Sequence, residues 1–461
     1  MIQSTSRASA RKKTIKQGPA SLPVIPAQAG IQFRNRSRSE YPSEIEVLSC
    51  VSPHSTRRWF LGVAIAVLAV PLLSGCQINP RRASDACMRD SSIRALWVTR
   101  WDYKSPRDIS IVMDNVARGG FNTVMFQVRG HGTSFYRSKL EPWADELGGR
   151  DPGYDPLAIA TREAHERGLS IHAWVNVMPG WRGDKPPTNA RQLYNAHPDW
   201  FWHDARGRRE PLGWYNNLNP CLPEVRRYLV AVMKEIVAGY QIDGLHMDYV
   251  RFPNEWNKAY AKGTTVPDYP RDPRTLMLFK QDTGKTPEQS PNQWGRWRSE
   301  QVTHLVKDIR QMCKKTNPRV KLTAAVGAYP DRARRLHFQN VRAWLALGLL
   351  DAVFPMNYDK DMRTFQRRLD AWAGMGLRVP VVMGVNFDKR PPGLVRQQVR
   401  LARIAVKHFA AFAYNSLYER RDDHGRPINN EQSASRQALR QGVLPSLHRP
   451  VREPAIASRM P

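Results

Sequence analysis

Eight short apolar runs recur between Arg94 and Tyr418, each parted from the next by a stretch patterned as a helix, and this alternation narrows the fold more than any other feature. The runs are RALWV (94–98), TVMFQVRG (123–130), SIHAWVNV (170–177), GLHMDYV (244–250), KLTAAVG (321–327), DAVFPMNY (351–358), PVVMGV (380–385) and FAAFAYNSLY (409–418). Their β-branched and aromatic residues and their length mark them as strands. The helical stretches carry their own punctuation. Asp155 and Pro156 open one as N-cap and first-turn residue, and Gly168 closes it. Pro223 opens another, in which Val225, Leu229, Val232, Met233 and Ile236 form a stripe at the 3.6-residue period. Two more are expected from about Trp297 to Thr316 and from Pro392 to Phe409. Strands joined through helices pair in parallel. Eight such units predict an α/β fold, a (β/α)8 barrel with its helices outside. A doubly wound open sheet is the alternative, but neither GxGxxG nor GxxxxGK follows any of the eight runs.

Two long insertions interrupt the repeat, one after the third strand and one after the fourth. Met178–Leu222 holds Trp181, Tyr194, Trp200, Phe201, Trp202, Trp214 and Tyr215, and Arg251–Gly295 is rich in Pro, Asp and Lys. Both leave strand C-termini, the face on which barrel enzymes build their sites. The aromatic-rich insertion reads either as a local mini-core or as a surface on which rings stack against a ligand.

The N-terminal region is organised differently. STRRWFLGVAIAVLAVPLLSGC has twin arginines (Arg57, Arg58), an apolar run from Trp59 to Leu73, and then Ser74-Gly75-Cys76. The run is short for a membrane span and suits the core of a signal peptide. Its ending resembles a lipobox, in which Cys76 is acylated and becomes the mature N-terminus, and its start resembles a twin-arginine export signal. Gln77, where Asp is absent, implies the outer membrane for such a lipoprotein. Residues 1–50 are polar, Pro/Ser/Arg-rich and aperiodic, and are expected to be a non-native or disordered extension, with initiation near Val47, Leu48 or Val51. The expected division is therefore signal peptide 51–76, linker 77–91, barrel domain 92–430 and C-terminal tail 431–461, the tail opening with a short helix.

Of five cysteines, Cys50 would be discarded and Cys76 acylated, leaving Cys87, Cys221 and Cys313. That set allows at most one disulfide and has no metal-ligand spacing, so neither cystines nor a metal is expected to hold the fold, and no cofactor is expected. The net charge of +30 is compatible with an anionic partner (nucleic acid, phospholipid headgroups or an acidic glycan), the alternative being a charged surface that simply favours solubility. Its arginines are scattered, without a helix-turn-helix, zinc-finger or RNP pattern, and export would remove the protein from nucleic acid.

Within a barrel strand, alternate residues face the interior and the last of them look into the mouth. On the second run Gln127 and Arg129 oppose Val124, Phe126 and Val128; on the third, His172, Trp174 and Asn176 share one parity; on the fourth, His246 and Asp248 do. On the sixth, Asn357 alternates with Phe354 and Met356, and Tyr358 and Asp359 follow it. These polar ends are expected to converge, because a buried polar group without a partner costs about 1–3 kcal/mol. Carboxylates and amides among Trp and Tyr rings suit glycoside hydrolysis, in which one acid protonates the leaving oxygen and the other stabilises or attacks the oxocarbenium-like centre. No GxSxG or HExxH motif offers another chemistry. Asp248 is the first candidate for nucleophile or stabiliser, the structural alternative being an ion pair with Arg129 or Arg251. Asp359 or Asp361, and Glu141, are the candidates for its partner, against turn chemistry for the two aspartates and a loop salt bridge for the glutamate. Gln127, Arg129, His172, Trp174, Asn176, His246, Asn357 and Tyr358 are candidate substrate-binding residues, and Asp243, at a strand start, reads as structural.

RALWVTRWDY, FNTVMFQVRGHGTSFYRSKLEPWADELGG, PGYDPLAIATREAHERGLSIHAWVNV, LNPCLPEVRRYL, DGLHMDYVRFP and WRSEQVTHLV together resemble the bacterial glycosyl-hydrolase-like lipoproteins of the "family 10 glycosylhydrolase" type, over about residues 92–420. The resemblance implies a TIM-barrel glycosidase of the cell envelope that cleaves peptidoglycan glycan strands stripped of their stem peptides, held at the membrane by its lipid. DGLHMD is also similar to the DGxRxD strand of alpha-amylase-type barrels, whose last Asp is the nucleophile; His246 stands where those have Arg. A non-catalytic glycan-binding lipoprotein and a hydrolase of amino-sugar exopolysaccharide are the alternatives.

Overall fold

In the computed structural model of the chain, residues 92–252, 268–419 and 433–448 are described. The signal peptide, the linker, Cys76 and Cys87 lie outside the described residues. Ten strands are present among them: β1 (Arg94–Val98), β2 (Thr123–Arg129), β3 (Ser170–Asn176), β4 (Pro179–Arg182), β5 (Tyr215–Asn217), β6 (Gly244–Asp248), β7 (Lys321–Gly327), β8 (Ala352–Met356), β9 (Val382–Asn386) and β10 (His408–Phe412). Eight of these close into a barrel in the order β1-β10-β9-β8-β7-β6-β3-β2, all pairs parallel, while β4 and β5 form a separate antiparallel pair. The (β/α)8 barrel predicted from the alternation is the fold.

The helices between the strands form where the punctuation places them. The helix Pro156–Glu166 is capped by Asp155, whose Oδ1 accepts from the amides of Leu157 and Ala158, both 3.1 Å away. Pro223–Gly239 buries the stripe of Val225, Leu229, Val232, Met233 and Ile236 against the barrel. Two boundaries differ from expectation. The helix expected from Trp297 begins at Pro291, which supplies the first-turn proline, and the one opened by Pro392 ends at Ala405. It stops there because Lys407, at φ 65°, turns the chain into β10. The short helix expected in the tail is Ser433–Val443, and Leu439, Val443, Leu444 and Leu447 are buried in the main core, so this segment belongs to the folded domain.

The strands bury both faces, as parallel sheets do. Leu96, Val98, Val124, Ile171, Val175, Leu245 and Val353 face outward into the main core with the helices. Ala95, Trp97, Met125, Trp174, Ala352, Phe354 and Val382 fill the barrel interior as a second cluster. Phe354 therefore points inward, with its ring 5.9 Å from Trp97 and 4.8 Å from His246. This inverts the parity assigned to the sixth run: both faces of β8 are apolar, so hydropathy carried no information about which one looks inside.

The insertion Met178–Leu222 is both things its aromatics suggested. The β4–β5 hairpin projects over the barrel mouth, while Tyr194, Phe201 and Trp202 are buried in the core beneath it. In the second insertion the helix Pro273–Thr283 packs Phe279 against Trp294 and Trp297, with ring centroids 5.0 and 5.6 Å apart. Cys221 and Cys313 are buried and free.

Candidate active site

The barrel interior is polar halfway along its axis, and a single file of hydrogen bonds satisfies it. Trp97 Nε1 donates to His246 Nε2 (3.2 Å), so His246 carries its proton on Nδ1 and donates it to Thr323 Oγ1 (2.9 Å). Thr323 Oγ1 also lies 3.4 Å from His172 Nδ1. Burial drives the His246 pKa well below the usual histidine value, with the neighbouring His172 adding to the shift, and burial takes His172 down to about 4. Both rings are neutral spacers. Gly244 makes the room: a Cβ there would meet His172 Nδ1 at 2.3 Å.

Above this layer the strand ends converge, because the barrel register sets Gln127 beside Trp174 and Asn176 beside Asp248. Gln127 Nε2 donates to Asn176 Oδ1 (3.2 Å), and Gln127 Oε1 accepts from the Arg100 amide (3.1 Å). Asn176 Nδ2 reaches the Gly130 carbonyl (3.2 Å) and the Tyr215 hydroxyl (3.4 Å). The amides are thereby locked in orientation, a requirement for a site that must hold its geometry.

At the tip of β6, Tyr249 takes φ 50° and folds the chain back on itself. That turn lets Asp248 Oδ1 accept from the Tyr249 amide (2.6 Å) and from Arg251 Nη1 (2.8 Å). The left-handed conformation is costly for a residue with a Cβ and is held here by both bonds. Asp248 Oδ2 has no hydrogen-bond partner among the described residues. Tyr358 lies close by, and burial, with the charge of Asp248 next, pushes its phenol well above the usual value, so it remains a proton-bearing donor.

These groups enclose a cavity of about 280 Å³ walled by Trp97, Trp101, Trp174, Trp214, Tyr215, Tyr249, Tyr358 and Phe412. Its polar lining is Thr99, Arg100, Gln127, Asn176, Arg182, Asp248 and Arg251. Trp174 Nε1 is buried and has no hydrogen-bond partner among the described residues. A larger hollow of about 350 Å³ lies at the strand N-termini around Val381 and His408, the end of a barrel that serves stability. Among the described residues, no three His, Cys, Asp or Glu side chains converge to hold a metal ion.

Of the residues singled out in the sequence, Gln127, Trp174, Asn176, Asp248 and Tyr358 line the cavity. The others are elsewhere. His172 and His246 lie in the layer below and do not reach the cavity wall. Arg129 leaves the mouth because the β2–β3 register shifts between Gln127 and Arg129; Gln127 pairs with Trp174, and Arg129 with Val175. It forms a fully buried ion pair with Glu141, Nη2 to Oε1 2.7 Å, and its Nη1 donates to the carbonyls of Asn176, Val177 and Pro179. Glu141 is thus committed to Arg129 and lies outside the cavity. Asn357 faces the helix Met362–Ala373, donating to the Phe365 carbonyl (2.9 Å), and Asp359 pairs with Arg368 (3.0 Å). Asp243, read as structural, accepts from the Ile171 amide (2.8 Å) at the opposite end of the barrel. Asp248 is the one carboxylate on the cavity wall among the described residues.

Sequence reasoning missed the contribution of β1 and of the hairpin. Trp97 has the parity of Ala95, but both faces of β1 are apolar and nothing marked it. Arg100 lies flat under the mouth, its Nε 2.7 Å from Glu146 and its guanidinium 3.9 Å from the Trp101 ring. Gly130 permits this, since a Cβ there would approach Arg100 to 2.8 Å. Arg182 and Trp214 come together only through the β4–β5 pairing, which sets Arg182 opposite Tyr215.

The model of the family described as "Glycosyl hydrolase-like 10" matches residues 92–383. The chain is 27% identical over 330 residues to "Glycosyl hydrolase YngK" of Bacillus subtilis (strain 168), covering 63% of this chain and 57% of that protein. It is 29% identical over 273 residues to "Glycosyl hydrolase DigH" of Escherichia coli (strain K12), covering 53% and 56%. The chain thus spans little more than half the length of the curated relatives it matches. Among solved structures, the PgaB (BpsB) glycoside hydrolase domain from Bordetella bronchiseptica aligns with a TM-score of 0.54 at 13% identity, over 76% of this chain and 99% of that one. The alpha-L-fucosidase isoenzyme 2 from Paenibacillus thiaminolyticus gives 0.53 at 13% identity, over 76% and 49%. At such identities the likeness bears on the fold alone.

Proposed function

This chain belongs to the glycosyl hydrolase-like 10 family, and on that premise we propose that it is a glycoside hydrolase of the cell envelope, acting on peptidoglycan glycan strands free of stem peptides. The observation that carries the reading is Asp248. It stands at a strand C-terminus in a ring-walled cleft, one oxygen fixed by Tyr249 and Arg251 and the other unclaimed among the described residues. A carboxylate so held is oriented toward the cavity and needs no rearrangement to stabilise or attack an oxocarbenium-like centre. Trp101 and Trp214 are the exposed rings of the wall and stand where sugar C–H groups would stack, and the Gln127–Asn176 pair offers fixed dipoles for hydroxyls. The leaving-group proton requires a second donor, for which the Tyr358 phenol on the cavity wall is a source.

The test is incubation of purified peptide-free glycan strands with the protein, with products read by mass spectrometry. Release of defined short oligosaccharides is the expected result. Retention of the strands on the protein without release would establish the glycan-binding reading instead, which the single wall carboxylate among the described residues favours. Anchoring at Cys76 in the outer membrane, facing the periplasm, is part of the same proposal and is supported by the twin arginines, the short apolar run and the Ser-Gly-Cys ending. Incorporation of labelled fatty acid into wild type, and its loss in Cys76→Ala, is the expected outcome; equal labelling of both would refute it.

A further inference from the structure

We propose that Arg182 is the receptor for a carboxylate carried by the sugar substrate, so that the cleft selects acidic over neutral glycans. The inference rests on the glycoside hydrolase reading and names its substrate class. Three guanidinium groups line the cavity, and two are already matched: Arg100 by Glu146 at 2.7 Å and Arg251 by Asp248 at 2.8 Å. Arg182 has no acidic partner among the described residues; its contacts are rings. Its guanidinium carbon lies 5.1 Å from the Trp214 ring centroid, 5.6 Å from Trp101 and 5.9 Å from Tyr215. With Asp248 on the wall and Glu146 behind it each matched to one arginine, one of the three guanidinium charges is left unbalanced among the described residues.

The placement suits an external anion. Arg182 is half-buried on β4, a paired strand, so its position is set by the Arg182–Tyr215 register and not by a free loop. Trp101 and Trp214, 40% and 37% exposed, lie at the lip within cation–π range of it. A guanidinium presents its N–H groups in one plane, which matches a carboxylate bidentately, and none of those groups of Arg182 is engaged by an acid among the described residues. Two kinds of sugar supply that group: a hexosamine bearing a lactyl ether with its acid free, and a hexuronic acid. In a peptide-bearing strand the lactyl acid is amidated and its charge is gone, so the same receptor would discriminate against it.

The experiment is isothermal titration of the wild-type protein, in which Asp248 keeps Arg251 paired, with three thio-linked, uncleavable oligosaccharides of equal length, their O-linked counterparts being kept for the cleavage assay. These are an N-acetylglucosamine–N-acetylmuramic acid tetramer, the same tetramer with its carboxyls reduced to alcohols, and an oligouronide. Cleavage by wild type is followed in parallel. The expected result is about a ten- to hundredfold tighter Kd for the acidic tetramer than for its reduced form, the range of a charge-assisted pair. That preference should collapse to within about twofold in Arg182→Gln and be partly restored in Arg182→Lys. Equal binding of acid and alcohol forms overturns the receptor while leaving a hydrolase that cleaves both. A preference that survives Arg182→Gln also overturns it and places the receptor elsewhere. Tighter binding of the oligouronide than of the muramyl tetramer keeps the receptor and assigns it the uronic acid. Absence of both binding and cleavage overturns the underlying reading with it.

Discussion

Replacing Glu141 by Gln separates a structural acid from a catalytic one, and the structure supplies the magnitude. Glu141 takes hydrogen bonds from Arg129 Nε at 3.0 and 2.9 Å and from Nη2 at 2.7 Å, with neither side chain exposed. Tyr228 adds a fourth bond at 3.3 Å. Gln keeps the shape and one acceptor oxygen but removes the charge, leaving the guanidinium buried and uncompensated. Breaking a buried pair from one side costs about 3–5 kcal/mol, and the retained oxygen puts this case near about 3. For a large domain, at roughly 2 °C per kcal/mol, the melting temperature should fall by about 6 °C. The double variant Glu141→Leu/Arg129→Met removes both charges and should recover a substantial part of that loss. The assay is a thermal melt and a urea titration of the three proteins, with kcat on glycan strands measured on the folded fraction. A Glu141→Gln protein that melts within about 1 °C of wild type while losing about a hundredfold in kcat would refute the reasoning and return Glu141 to the chemistry.

Two further predictions concern the layer below the cavity. His172 has its folded pKa lowered to about 4 against an unfolded value near 6.5, so the unfolded chain binds its proton first. The stability this residue contributes is complete above about pH 6.5 and is lost as the pH falls toward 4, by roughly 3 kcal/mol. Urea midpoints at pH 7 and pH 4.5 should differ less in His172→Gln than in wild type, and identical pH dependence in the two would contradict the assignment. Gly244→Ala places a Cβ 2.3 Å from His172 Nδ1 and should cost about 1–3 kcal/mol of overpacking. A urea midpoint unchanged from wild type would show that the ring is not confined as described.

The fold was legible because its signals are local. Strand runs, caps and first-turn prolines recur in register with the chain, and the barrel follows once eight βα units are seen without a phosphate loop. The site was legible only where polar and apolar residues alternate. On β3 and β6, His172, Trp174, Asn176, His246 and Asp248 oppose apolar neighbours, and the register sets Asn176 beside Asp248. On β8 that contrast is missing: Val353 faces out and Phe354 faces in, so Asn357 was assigned to the wrong side. On β2 the alternation itself misled, because the register shift after Gln127 carries Arg129 into a buried pair. The hairpin residues were out of reach for a different reason. Arg182 meets Tyr215 across a long insertion, and no period in the sequence encodes that pairing.

Asp248→Asn tests the central claim most directly. The variant keeps the side-chain volume and the acceptor for the Tyr249 amide, so it should fold and still bind glycan strands. Its kcat/KM on peptide-free strands, with products quantified by mass spectrometry, should fall by at least about a thousandfold, equivalent to roughly 4 kcal/mol of transition-state stabilisation. A variant that releases the same oligosaccharides within about tenfold of the wild-type rate would remove Asp248 from the reaction, and with it the account of this cleft as a glycosidase site.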